Sequence, residues 1–280
     1  MRLTILTRWI IVLTLIGLIY DLQITYDHTR LQTLTALDVP INELIEPAIP
    51  NSQTVDKASF GLQNTIADVL WLQVIQYYGG GDPKGKYRQL PRLIKTISAL
   101  DPRFTYPYSF AGLVLPNEGY TDEAIAILKE AEKTLPNEWE IPYNIGTIYF
   151  INKKDSVSAA KYYEIAAGRP NAPANTEFLS AVQHDRSKDR QTAQKIFQKL
   201  ADSSENEYFK NRAQAFIEHY QLLDALEGLV KIFHAKEGRL PKSLDELVQK
   251  RYVSEIPADP VNRKIEYDPS TGLITDATFK

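Results

Sequence analysis

The chain has 280 residues, long enough for about two folded domains. Lys and Arg number 32 against 35 Asp and Glu, and the resulting net charge of −3 argues against nucleic-acid binding, because nucleic-acid-binding proteins carry an excess of cations. The chain has no Cys, and its four His are scattered singly. This composition excludes thiolate zinc sites, disulfides and thiol catalysis. We therefore expect no enzymatic activity, no catalytic residue, no cofactor and no metal site.

An apolar segment near the N-terminus predicts a membrane anchor. Uncharged residues run from Trp9 to Tyr20, after the basic residues Arg2 and Arg8. A helix extended to Tyr26 would span the hydrocarbon core of a bilayer, roughly 30 Å thick. We predict a single-pass signal anchor over residues 1–27 in the inner (cytoplasmic) membrane. Because the arginines favour the cytoplasmic side, the bulk of the chain is expected on the periplasmic or outer side. A cleaved signal peptide and a buried or interfacial helix are the alternatives.

A proline-containing segment follows the apolar one. Pro40, Pro47 and Pro50 lie within residues 38–59, which show no sustained apolar period. Each proline removes a backbone donor and restricts the preceding residue. Residues 28–59 are therefore predicted to be a stalk or linker, and the folded body is predicted to start at residue 60.

A 34-residue period is the strongest signal in the chain. Pro102, Pro136 and Pro170 are spaced by 34 residues, and so are Gly112 and Gly146. Around them, large residues recur at helical spacing and small residues recur where two backbones would approach. Each period is predicted to be helix, turn, helix. We expect Thr121 to cap one helix and Asn137 to cap the next, with Glu140.

This pattern resembles the tetratricopeptide repeat family. The positions that carry the resemblance are Gly112, Ala124, Ala131, Pro136, Gly146 and Pro170. The second repeat departs from the first by one residue in its second helix, and weaker copies flank the pair. The resemblance implies an α-solenoid of helical hairpins over residues 60–225, with a groove lined by the first helix of each repeat.

The same resemblance assigns a groove for protein partners. Its side chains would be those of Tyr106, Ser109, Leu113, Tyr143, Thr147, Phe150 and Gln76. Aromatic anchors of this kind suit an extended peptide or a partner helix. Aromatic residues at helical spacing are also typical of a helix core, so core packing is the alternative for each of them.

The C-terminal part has a different pattern. A helix is predicted from about Asn211 to Glu237, ended by Gly238, then a short helix capped by Ser243 and a β-hairpin around the turn sequence PSTG. This order is similar to the C-terminal half of the major pseudopilin of type II secretion systems, and it implies a small α+β module over residues 226–280. The resemblance also raises a calcium site, with Asp259, Asp268 and Glu266 as the candidates. Capping and turn roles are the alternative that we expect for these side chains.

The sequence as a whole predicts a mainly α protein with an N-terminal transmembrane helix, a tetratricopeptide-like solenoid and a small C-terminal α+β piece. The predicted function is a membrane-anchored scaffold that mediates protein–protein interactions in a bacterial envelope assembly, related to a pilus or to secretion. An accessory structural subunit permanently buried in a large membrane protein complex is the alternative.

Overall fold

The computed structural model describes residues 61–80 and 87–277, together with a few isolated helical positions between 14 and 32. Apart from those positions, the predicted anchor (residues 1–27) and the predicted stalk (residues 28–59) lie outside the described residues. Within the described part, no helix combines the length and the apolar character needed to cross a membrane. The described chain is mainly α-helical with one small two-stranded sheet, which confirms the predicted class.

The chain divides into two compact units, one up to Asp101 and one from Pro102 onward. In the first unit, helix α1 (Gln63–Gly79) packs against α2 (Leu90–Leu100). Helix α1 buries four side chains at helical spacing, Ala67, Leu70, Val74 and Tyr77. Ile75, the neighbour of Val74 in sequence, is exposed.

The second unit is a succession of helices followed by a hairpin. Its elements are α3 (Thr105–Val114), α4 (Thr121–Thr134), α5 (Glu140–Ile148), a π-helical turn (Tyr149–Lys153), α6 (Ser156–Ala167), α7 (Ala174–Arg186), α8 (Arg190–Ser203), α9 (Glu207–Glu237), α10 (Leu244–Gln249), β1 (Ile265–Tyr267) and β2 (Ile274–Asp276). Each helix from α3 to α8 packs against the helix that follows it. In addition, α3 contacts α5 and α7 contacts α9.

The helix boundaries follow the prolines but not the predicted caps. Pro102, Pro136 and Pro170 lie in connections between helices, as their missing N–H and fixed φ require. Thr121 is the first residue of α4 rather than its cap, and the residue before α5 is Trp139 rather than Asn137. Neither helix start has a side-chain capping bond, so both cap predictions are wrong.

Side-chain capping occurs instead at three later helices. The residues before α6, α8 and α9 accept hydrogen bonds from backbone N–H groups of the first turn, through the side chains of Asp155, Asp189 and Asn206. Acidic and amide side chains at this position satisfy N–H groups that have no partner within the helix.

The π-helical turn lies just before α6, the second helix of the second repeat, whose residues depart from the first repeat by one position. Gly112 precedes Ala124 by 12 residues, whereas Gly146 precedes Ala159 by 13. A π-helical turn contains one residue more than an α-helical turn, so it absorbs a single insertion inside a helix. The turn at Tyr149–Lys153 therefore accounts for the extra residue while α5 and α6 keep their contact.

Helix α9 runs through two hydrophobic clusters. Its first half packs in a cluster with Phe197 and Val261, and its second half packs in a cluster with Leu247 and Ile274. The helix ends at Gly238, whose φ of +69° is the left-handed conformation expected of a terminating glycine. The predicted boundary between residues 225 and 226 falls inside this helix.

The predicted hairpin is confirmed. Strands β1 and β2 pair antiparallel with Glu266 opposite Thr275, and β2 contacts α9. In the turn, the Asp268 side chain accepts hydrogen bonds from the Ser270 N–H at 2.8 Å and from the Ser270 hydroxyl at 2.7 Å. These bonds hold the pKa of the Asp268 carboxyl below its usual range.

Candidate functional site

The face of α3 that carries three of the predicted groove residues is largely open to solvent. Tyr106 is 69% exposed and Leu113 is 63% exposed. Ser109 lies between them in sequence, and its hydroxyl donates a hydrogen bond to Glu140 of α5 at 3.2 Å. Because the three positions are spaced by three and four residues, they lie on one side of the helix. This face therefore presents two large apolar side chains beside a polar link to the neighbouring helix.

The predicted groove residues of α5 are less available. The Tyr143 ring centroid lies 5.6 Å from that of Trp139 and 5.4 Å from that of Tyr163. The Thr147 hydroxyl donates to the carbonyl of Tyr143 at 3.0 Å and lies 3.0 Å from the Tyr163 hydroxyl. Both side chains thus take part in the packing of α5 against α6, which is the alternative role considered for aromatic groove residues.

Tyr163 lies at the contact between α5 and α6, and its burial affects the ionisation of its hydroxyl. Burial raises the pKa of Tyr163 to about 12, although the hydrogen bond with Thr147 opposes the shift. The hydroxyl of Tyr163 consequently stays protonated at neutral pH, and it serves as a neutral hydrogen-bonding group between the two helices.

Two further predicted groove residues lie elsewhere. Phe150 is in the π-helical turn, with the guanidinium carbon of Arg186 lying 5.0 Å from its ring centroid. A cation over an aromatic face is attracted to the ring electrons, so Phe150 links the turn to α7. Gln76 is exposed on α1, in the first unit.

The two repeat-defining glycines both lie at close helix contacts, but against different partners. A Cβ atom on Gly112 would lie 2.8 Å from the Cβ of Asn144 in α5. A Cβ atom on Gly146 would lie 3.1 Å from the Tyr163 ring in α6. The alanines of the pattern, Ala124 and Ala131, are buried in α4. The two glycines therefore permit close contacts between α3 and α5 and between α5 and α6.

A buried polar cluster, which the sequence analysis did not identify, joins α7, α9 and the C-terminal segment. His219 of α9 is fully buried, its Nδ1 bonds the carboxylate of Asp259, and its Nε2 lies 3.3 Å from Oδ2 of Asp276. Arg263 donates to Oδ2 of Asp276 and to Oδ2 of Asp185, both at 2.5 Å. A single chain of contacts thus runs from α7 through the C-terminal segment to α9.

The edges of this cluster are also hydrogen-bonded. The Tyr220 hydroxyl donates to Oδ1 of Asp185 at 2.6 Å. Arg190 of α8 donates to the carbonyl of Tyr220 and to Asp224, both at 2.8 Å. Burial, together with the Asp185 carboxylate, raises the pKa of Tyr220 above its usual value. Asp185 is therefore held by one neutral and one cationic donor.

No local sequence signal indicates this cluster. Asp185 and Arg263 are 78 positions apart, and His219 and Asp259 are 40 apart. Asp259 belongs to the pseudopilin-like pattern, but nothing in that pattern indicates His219, Arg263 or Asp185 as its neighbours. Only a single His on the apolar face of a long helix hints at a buried partner, because a buried imidazole needs hydrogen bonds.

The acidic residues considered for calcium have other roles in the structure. Asp259 accepts hydrogen bonds from the Val261 N–H at 2.7 Å and the Arg263 N–H at 3.3 Å, and Asp268 stabilises the hairpin turn. Glu266 lies 3.9 Å from the Lys264 ammonium. Across the described positions, no group of three or more His, Asp and Glu side chains is arranged to hold a metal ion.

Comparisons with protein-family models, with curated proteins and with solved structures found no match to this chain.

Proposed function

We propose that residues 60–225 form a tetratricopeptide-like array of helical hairpins, and that the chain is a membrane-anchored scaffold held by residues 1–27. In this proposal it binds protein partners in a bacterial envelope assembly related to a pilus or to secretion. The helix contacts within the second unit support it: each helix from α3 to α8 packs against the next, and α3–α5 and α7–α9 also touch. Contacts of this kind between nearest neighbours are typical of stacked repeats.

The observation that carries the proposal is the exposure of Tyr106 and Leu113 on one side of α3. Burying a side chain of this size against a partner is worth roughly 1.5–3 kcal/mol. Large aromatic and aliphatic anchors also contribute most of the binding energy in protein interfaces. The side of α3 that the repeat pattern assigns to the groove thus has the chemistry of a binding face.

A membrane tether would make modest contacts on this face sufficient. Attachment confines the chain and its partner to the same surface, which raises their effective concentration. The C-terminal module, over residues 226–280, is the reason for proposing a pilus-related or secretion-related assembly, through its similarity to the major pseudopilin.

Site-specific photo-crosslinking of the full-length chain in native membranes tests the proposal. Tyr106→benzoylphenylalanine is expected to give a discrete crosslinked product, and Leu113→Ala in the same chain is expected to lower its yield. Tyr208→benzoylphenylalanine is the matched control, because Tyr208 is a similarly exposed tyrosine, at 64%, on a different helix, α9. No product at Tyr106, or the same product at both positions, would contradict the proposal.

The alternative of a permanently buried accessory subunit rests on a different observation. Helix α1 exposes three large apolar side chains, those of Val69, Leu72 and Ile75, and Leu62 just before it is also exposed. An apolar face outside the groove suits a permanent interface. Gentle detergent solubilisation followed by size-exclusion chromatography distinguishes the two, with Tyr106 and Leu113 both changed to Ala. A permanently buried subunit would still elute in a large complex. A groove-binding scaffold would separate from its partner.

A further inference from the structure

The C-terminal segment, residues 259–276, is fastened to the helices by charge as well as by apolar contacts. We refer to it as the clasp. Val261 and Ile274 of the clasp are buried, one in each of the clusters along α9. Its charged side chains are those of Asp259, Arg263 and Asp276 in the buried cluster, together with the exposed Lys264, Glu266 and Asp268.

His219 is placed so that both ring nitrogens face a carboxylate. Nδ1 meets Asp259 and Nε2 meets Asp276. A neutral imidazole has one N–H and therefore one donor, whereas the charged imidazolium has two. Nδ1 makes the hydrogen bond to Asp259, whereas Nε2 has no hydrogen-bond partner among the described residues and lies 3.3 Å from Oδ2 of Asp276. A proton on Nε2 would place a positive charge beside both carboxylates, so the docked clasp suits the charged ring electrostatically.

The balance of charge in the cluster favours the same form. Asp185, Asp259 and Asp276 supply three carboxylates, and Arg263 supplies one guanidinium. The neighbouring Arg190 is paired with Asp224. Loss of the His219 proton would leave a further buried negative charge without compensation, and such a charge is strongly destabilising.

We propose that the clasp is a pH-sensitive device: it stays docked on α7 and α9 while His219 carries its proton, and it loosens when that proton is lost.

The pKa shifts agree in direction with this geometry. Burial disfavours the charged ring, but the nearby carboxylates of Asp276 and Asp259 outweigh burial and raise the pKa of His219 above its ordinary 6.5. Its stabilising contribution is therefore complete below pH 6.5 and is lost as the pH rises through the raised value. The nearby His219 ring and the Arg263 guanidinium lower the pKa of Asp276 below its ordinary 3.8, so the contribution of Asp276 is lost only under strongly acidic conditions.

Hydrogen exchange of the full-length chain, measured by mass spectrometry across pH 5.5 to about 9 and corrected for the intrinsic rate, tests the device. Protection of the clasp amides is expected to fall as the pH rises, by up to about tenfold for each unit by which the pKa of His219 is raised. Protection of α5 and α6 in the same molecules is expected to stay constant. A constant protection ratio between the clasp and α5–α6 over the whole range would overturn the proposal.

Two variants assign the effect to His219. His219→Gln is expected to give a clasp whose protection is low at every pH, whereas His234→Gln, which changes an exposed histidine of the same helix, should behave as wild type. If His219→Gln does not fold, Asp276→Asn serves instead, because removing one facing carboxylate should move the transition to lower pH. The proposal would also be overturned if the pH transition of the clasp were unchanged in both His219→Gln and Asp276→Asn. If His219→Gln does not fold, an unchanged transition in Asp276→Asn alone would overturn it.

Discussion

Gly146 shows how much a single missing side chain matters for the contact between α5 and α6. A Cβ atom at this position would lie 3.1 to 3.2 Å from three carbons of the buried Tyr163 ring. Separations this short require the neighbour to move, and Tyr163 is held by its bond to Thr147 and by the Tyr143 ring. Glycine at this site therefore sets how closely the two helices approach.

Gly146→Leu is expected to destabilise the second unit by about 1–3 kcal/mol, because a larger side chain would force α5 away from α6. Gly228→Leu in α9 is the matched control: a Cβ atom there meets nothing within 4 Å, and leucine has the higher helix propensity. Urea unfolding followed by circular dichroism measures both changes. Equal stabilities for the two variants would contradict the assigned contact.

Residue-level prediction succeeded for some side chains and failed for others. The glycine and proline spacing indicated the close contacts and the helix connections, because missing side chains and fixed φ angles act locally. The caps at Thr121 and Asn137 were wrong, since a capping residue also needs the right backbone position relative to its helix. Tyr143 and Thr147 both contact Tyr163 of α6, and their place in the groove stays a prediction.

At the level of secondary-structure elements, the π-helical turn decides the register of the second hairpin. It holds one extra residue between α5 and α6, and the stacked rings of Tyr149 and Tyr162, with centroids 5.5 Å apart, link it to α6. Asn152 within it is exposed. An extra residue placed there leaves the apolar faces of both helices in position.

Deletion of Asn152 is expected to be tolerated, with a small change in melting temperature, because it restores the spacing of the first hairpin. Deletion of Lys161, an exposed residue in the middle of α6, is the matched control. It would rotate Tyr163 and Ala166 by about 100° relative to the preceding turn and remove them from the core. We expect this second variant to lose cooperative unfolding. If both deletions gave the same melting temperature, the π-helical turn would not be the site of the insertion.

For the whole molecule, the C-terminal segment is part of the core of the second unit rather than an addition to it. Val261 contributes to the cluster that also contains Phe197 and Phe216, and Ile274 to the cluster around Phe233. The guanidinium carbon of Arg263 lies 5.2 Å from the Phe216 ring centroid. Removing the segment would therefore expose apolar side chains of α9 together with His219.

A chain that ends at residue 257 is expected to lose protection in α7 to α9, because each buried aliphatic side chain that is removed contributes roughly 1.5–3 kcal/mol. Protection in α5 and α6 should change little, since stacked helices depend mainly on their neighbours. Hydrogen exchange measures both regions. A chain that ends at Ala277 retains the clasp and serves as the control. Unchanged protection in α9 after the longer truncation would show that the segment is dispensable.

The larger the separation along the chain, the less of this architecture the sequence predicts. Local signals predicted the hairpin turn at Asp268–Gly272 and the end of α9 at Gly238. They did not predict the link between Asp185 and Arg263, because two charges 78 positions apart leave no periodic trace. The predicted boundary inside α9 failed to anticipate that one helix serves both clusters, since apolar periodicity does not indicate which partners a face meets.

The continuity of α9 has a mechanical consequence. Its 31 residues form a single helix about 45 Å long, and both hydrophobic clusters pack against this helix. A force applied at the hairpin end would be transmitted along the continuous backbone hydrogen bonds of α9 to Phe216, and from Phe216 to α7 and α8. Tension and twist would thus be transmitted along the helix, because it has no break.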